Sequence, residues 1–112
     1  MVFYILMLLH ITNSCEKESY SKFIGTWVST DRADTLFFIN NSIFNKSFSD
    51  GIKHIFEYSY CKDSIIIQYK GPNKILVMPS AHYYDLDNRK LTIDFTNGCY
   101  GFKREKETFL RL

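Results

Sequence analysis

Three cysteines (Cys15, Cys61, Cys99) and three histidines (His10, His54, His82) carry most of the chemistry this chain could offer. A zinc site needs thiolates and imidazoles at short, characteristic spacings. His54 and His82 each stand alone, with no second histidine or cysteine at such a spacing, so no metal is expected. A serine nucleophile would sit in a Gly-x-Ser-x-Gly elbow, and the chain has none. Acid–base work asks for carboxylates converging in a cleft; Glu57 and Asp94 instead fall on the outward faces of the strands read below. The expectation is a non-enzymatic protein with no catalytic residues and no cofactor.

The bulk properties narrow the class further. With 112 residues there is room for one domain. Aromatic residues make up 17%, as 10 Phe, 8 Tyr and a single Trp, which leans towards an all-β chain. A formal net charge of +2, with acids and bases interspersed, leaves no footprint for nucleic acid.

Residues 1–11 are almost wholly apolar and are followed by Thr12-Asn13-Ser14-Cys15. Such a run is too short to span a bilayer as a helix and suits a signal-peptide core. Ser14 directly before Cys15 resembles the lipobox of bacterial lipoproteins, although Thr12 stands where leucine is usual and no Lys or Arg precedes the run. The resemblance implies removal of residues 1–14 as a signal peptide, lipidation of Cys15 and residues 15–22 as a tether. Glu16-Lys17-Glu18-Ser19 is similar to the charged tract of Bacteroidetes lipoproteins. The implied location is the bacterial cell envelope, lipid-anchored to the outer membrane, with the periplasmic and surface-facing sides both open.

From Gly25 onward, short alternating runs are bounded by turn residues such as Asn40-Asn41, Ser49-Asp50-Gly51 and Asp87-Asn88. Strands are expected at 25–30, 34–40, 42–48, 52–61, 63–70, 74–86 (broken near Pro79), 90–96 and 106–112, with one helical turn at 21–24. His54, Phe56, Tyr58 and Tyr60 share one face, while Lys53, Ile55, Glu57 and Ser59 share the other. One dry and one wet face marks antiparallel sheet. Eight such strands protect their edges by closing, so the expected fold is an eight-stranded antiparallel up-and-down barrel over residues 23–112.

Gly25-Thr26-Trp27 matches the Gly-x-Trp motif that opens the first strand of lipocalins, and Thr108 to Leu112 resembles the closing strand of lipocalin-like bacterial lipoproteins. That resemblance implies barrel closure by Gly25, Trp27 and Arg111, with the guanidinium across the indole. On this resemblance the domain is expected to be shorter than a typical lipocalin, without the C-terminal helix of that family.

Trp27, Phe38, His54, Phe56, Tyr58, Tyr60, Tyr69 and Tyr84 are the candidate ligand-binding residues, since inward tyrosines offer an apolar wall with a polar handle. The same rings can instead fill a small barrel. Two functions are thus carried forward. One is a lipid-anchored, lipocalin-like monomer binding a small apolar or amphipathic ligand. The other is a filled barrel that contacts a protein or glycan, with Tyr100, Phe102, Lys103 and Arg104 as a contact loop. Cys61 and Cys99 fall at opposite barrel ends, so no disulfide is expected between them.

Overall fold

The computed structural model describes residues 21–47, 51–71 and 77–112. The signal segment 1–14, Cys15 and the tether up to residue 20 lie outside the described residues.

The protein is all-β, with no helix among the described residues. Its strands are β1 (Gly25–Ser29), β2 (Thr35–Phe38), β3 (Ile43–Ser47), β4 (Lys53–Tyr60), β5 (Ser64–Tyr69), β6 (Ser80–Leu86), β7 (Lys90–Asp94) and β8 (Lys106–Arg111). Each pairs antiparallel with its sequence neighbour, and β1 pairs with β8, giving a closed up-and-down barrel. The seam aligns Trp27 with Arg111, Val28 with Leu110 and Ser29 with Phe109.

Short polar side chains make the turns. The Asn40 side-chain oxygen accepts from the amides of Ser42 (2.8 Å) and Ile43 (2.9 Å). Asp87 does the same for Arg89 (3.0 Å) and Lys90 (2.8 Å). These bonds satisfy turn amides that have no ladder partner and set the register of the strands that follow. Ser21 to Ile24 closes as one turn, the Ile24 amide reaching the Ser21 carbonyl at 3.3 Å.

The sixth strand departs from the expectation, starting at Ser80 rather than before the proline. Pro79 brings no N–H to a ladder, and residues 77–79 form no strand. The part of that expected strand at 74–76 lies outside the described residues, as does residue 48 of the third.

Alternation places one face of every strand inside. Phe23, Trp27, Leu36, Phe56, Ile65, Leu91, Phe95 and Phe109 are fully buried in one continuous core. Burying an aromatic or branched side chain of this kind contributes about 1.5–3 kcal/mol. The turn at 21–24 drives Phe23 into one end of the barrel, where its ring lies 5.4 Å from Phe38 and 5.1 Å from Tyr60. At the other end, the loop from Phe95 to Glu105 folds back over the bore. Its Phe102 stacks on Phe95 at 4.1 Å.

Candidate functional site

Gly25, Trp27 and Arg111 meet where the first and last strands close. Trp27 is fully buried, and its indole N–H donates to the Phe23 carbonyl at 2.9 Å. The Arg111 guanidinium carbon lies 4.2 Å from the centre of the indole ring system. Its nitrogens donate to the carbonyls of Ile24 (2.9 Å), Lys22 (3.0 Å) and Asn88 (3.0 Å). One side chain thus ties together the N-terminal turn, the β6–β7 turn and the last strand. Gly25 adopts φ of 136°, and a Cβ there would stand 3.0 Å from the guanidinium.

The candidate ligand-binding residues converge inside. Trp27, Phe38, Phe56, Tyr58, Tyr60 and Tyr69 are buried in the core, and His54 and Tyr84 are half-buried. They are in contact with one another and with rings the sequence reading did not single out. Phe38 stacks on Phe44 at 4.7 Å, and Phe44 on Phe56 at 4.9 Å. Tyr58 meets Phe38 edge-on at 4.9 Å. The Tyr58 hydroxyl donates to the Asn40 carbonyl at 2.7 Å, and burial pushes its pKa up to about 12. Tyr84 donates to the Cys61 carbonyl at 2.8 Å. The Tyr60 hydroxyl is buried with no partner among the described residues.

Beneath the loop that covers the second end lies a charged group. Lys46 is 1% exposed, because the alternation that buries Phe44 also turns Lys46 inward. Its ammonium donates to the Gly101 carbonyl, sits 3.5 Å from the Asp34 carboxylate and lies 3.8 Å over the Phe102 ring. Burial pulls the Lys46 pKa down against the opposing pull of Asp34 and Glu107. Burial pushes the Glu107 carboxyl up, with Lys46 opposing it. Nearby, Ser80 and the His82 Nε2 are 2.7 Å apart, and burial lowers the His82 pKa. Inward charge was not foreseen. The signal available for it was the parity of Lys46 with Phe44.

The expected contact loop divides. Phe102 and Tyr100 turn towards the barrel, Tyr100 lying 4.5 Å from Tyr69 while staying 42% exposed. Lys103 and Arg104 face solvent. Cys99 is a free thiol, half-buried, with its pKa raised by burial. It therefore does not pair with Cys61, which lies in the turn after β4 at the far end of the barrel. Cys61 is nonetheless disulfide-bonded.

The outer wall carries grooves. One of about 420 Å³ crosses β6, β7 and β8. Another of about 230 Å³ lies between Ser64, Tyr83 and Asn97. A third of about 220 Å³ runs over Glu57, Ile66 and Gln68. Among the described residues, no group of three His, Cys, Asp or Glu side chains is arranged to hold a metal. Comparison with protein-family models, with curated proteins and with solved structures found no match.

Proposed function

We propose that this chain is an exported cell-envelope protein whose filled barrel acts as a non-enzymatic interaction module, recognising its partner on the outer wall. The observation that carries the reading is ring-to-ring contact through the interior, from Phe23 to Phe38, Phe44 and Phe56 at centroid separations of 4.7–5.4 Å. Rings packed at that spacing already occupy one another's contact surfaces. A barrel of eight strands has an interior that side chains can fill. The bore then serves as a rigid support, and the role of a cup for an apolar guest recedes.

The test is methyl NMR of the full chain. Signals from the interior methyls of Leu36, Ile65, Ile67, Leu91 and Ile93 are followed while oleate is added. Unchanged shifts support the filled barrel. Shifts concentrated in these methyls return the protein to the ligand-binding reading.

Lipid anchoring at Cys15 belongs to the same proposal and has a separate test. A disulfide at Cys61 suits an oxidising compartment, which supports export. Radiolabelled palmitate recovered on the N-terminal peptide supports the anchor. An N-terminal peptide recovered without label overturns it and leaves an exported barrel without a lipid.

A further inference from the structure

Tyr83 is 69% exposed, more than any other aromatic ring among the described residues. It stands on the outer face of β6 and borders two grooves, one on each side. The larger, about 420 Å³, falls within the roughly 300–1,000 Å³ range of small-molecule sites. The rest of its lining is Tyr84, Asp85, Lys90, Thr92, Asp94 and Lys106.

Strand register explains how these side chains come together. Asp85 pairs with Thr92, which pairs in turn with Thr108. The Thr92 hydroxyl lines the groove and lies 3.0 Å from that of Thr108. Asp94 pairs with Lys106, and Tyr84 with Ile93, which sets Tyr83 across from Asp94. The Asp94 carboxylate is held in place by the Thr96 amide (3.0 Å) and hydroxyl (2.6 Å). Among the described residues, Asp85, Lys90, Asp94 and Lys106 form no ion pair within 4.0 Å. Two carboxylates and two ammonium groups are therefore balanced and turned to solvent around the Thr92 hydroxyl.

That composition selects among partners. A protein-docking patch is depleted of charge at its centre, whereas four of the seven residues lining this groove are charged. Nucleic acid and anionic lipid call for a basic excess, and the charges here cancel. A ligand rich in hydroxyls, uncharged and with one flat apolar face meets all the conditions. Its hydroxyls both donate and accept, matching carboxylate, ammonium and threonine together. Its C–H face covers an exposed ring that water solvates poorly.

We infer that the β6–β8 groove binds a neutral oligosaccharide, with Tyr83 as the stacking platform and Asp85, Asp94, Thr92 and Lys106 as the hydroxyl contacts. The inference rests on the outer-wall reading proposed above and gives it a site and a ligand class.

The test titrates the full chain with chitohexaose, cellohexaose and mannohexaose, each to about 10 mM, reading backbone amide shifts by NMR. At least one sugar is expected to shift the amides of Tyr83, Thr92 and Lys106. Tyr83→Ala should weaken that binding about tenfold or more, with an unchanged thermal midpoint. Tyr83→Phe should retain most of it, and Ile55→Ala on another part of the wall should change nothing. No shift at the groove with any of the three sugars overturns the inference. So does binding that survives Tyr83→Ala. Interior methyls that respond to oleate would instead end the underlying reading, so the two failures are distinguishable.

Discussion

Arg111 lies across Trp27 and is also its direct partner in the β1–β8 ladder, the guanidinium carbon 4.2 Å from the centre of the indole. The contact joins residues 84 positions apart (111 − 27) and closes the barrel at its seam. A cation over an aromatic face contributes about 0.5–2 kcal/mol. Three carbonyl acceptors lose their partner if the side chain is removed. Arg111→Ala should therefore destabilise the protein by about 2–4 kcal/mol. Arg111→Lys should recover little, because an ammonium cannot fork to three carbonyls while lying flat on the ring. Urea unfolding followed by Trp27 fluorescence checks this. Full recovery by lysine would show that charge alone closes the seam.

Lys46 is buried, with its charge shared between the Asp34 carboxylate and the Phe102 face. Lys46→Met keeps most of the volume but leaves the carboxylates of Asp34 and Glu107 without their cation. A loss of about 3–5 kcal/mol is expected. Adding Asp34→Asn should restore part of it, since removing both partners leaves less uncompensated charge. The Glu107 carboxyl, which Lys46 holds down, should titrate higher still in Lys46→Met, as read by carbon NMR of that side chain. An unmoved Glu107 would separate it from the ion pair.

Alkaline pH offers a third handle, through Tyr58. Its pKa is raised from 10.0 to about 12 by burial. The folded state thus holds its proton where the unfolded state has lost it. This contribution is complete below about pH 10 and fades as pH rises through the folded pKa near 12, by about 2–3 kcal/mol. Tyr58→Phe should begin about 1–2 kcal/mol less stable at neutral pH, for the lost bonds to Asn40 and Ser21. It should then lose less on the way to about pH 12. Urea midpoints of both proteins across that interval give the comparison. Parallel slopes would place the alkaline loss elsewhere.

Gly25 takes φ of 136°, with the Arg111 guanidinium 3.0 Å from where a Cβ would stand. Gly51 has φ of 83° and open space around it. Gly51→Ala should cost about 1 kcal/mol, from the left-handed backbone alone. Gly25→Ala should cost about 1–3 kcal/mol, because strain adds to displacement of the guanidinium. Thermal midpoints of the two variants check the difference. Equal shifts would show that the guanidinium yields freely.

Much of the barrel was legible because its causes are local. The alternation of His54, Phe56, Tyr58 and Tyr60 is a property of adjacent residues, and the β4 burial follows it. The turns at Asn40 and Asp87 rest on side chains that bond amides two and three positions on. Strand six begins at Ser80, after the break expected near Pro79, because a proline brings no N–H to the ladder.

Lys46, Phe102 and Tyr83 were not legible in the same way. A lysine at an inward position is tolerable only if a carboxylate and a carbonyl reach it, and these come from Asp34 and from Gly101. Phe102 read as an exposed loop residue until the loop was seen to fold back onto Phe95. Tyr83 acquired part of its groove from Lys106 on β8, which the long loop after β7 separates from it in the chain.

By itself, then, the order of residues determined the strands, their two faces and the number that must close, since each follows from neighbours within a few positions. Whether the closed space is hollow or full, which charges lie inside, and which outer side chains share a groove were decided only in three dimensions. Those properties depend on volumes and pairings summed over distant segments, and no local pattern records them.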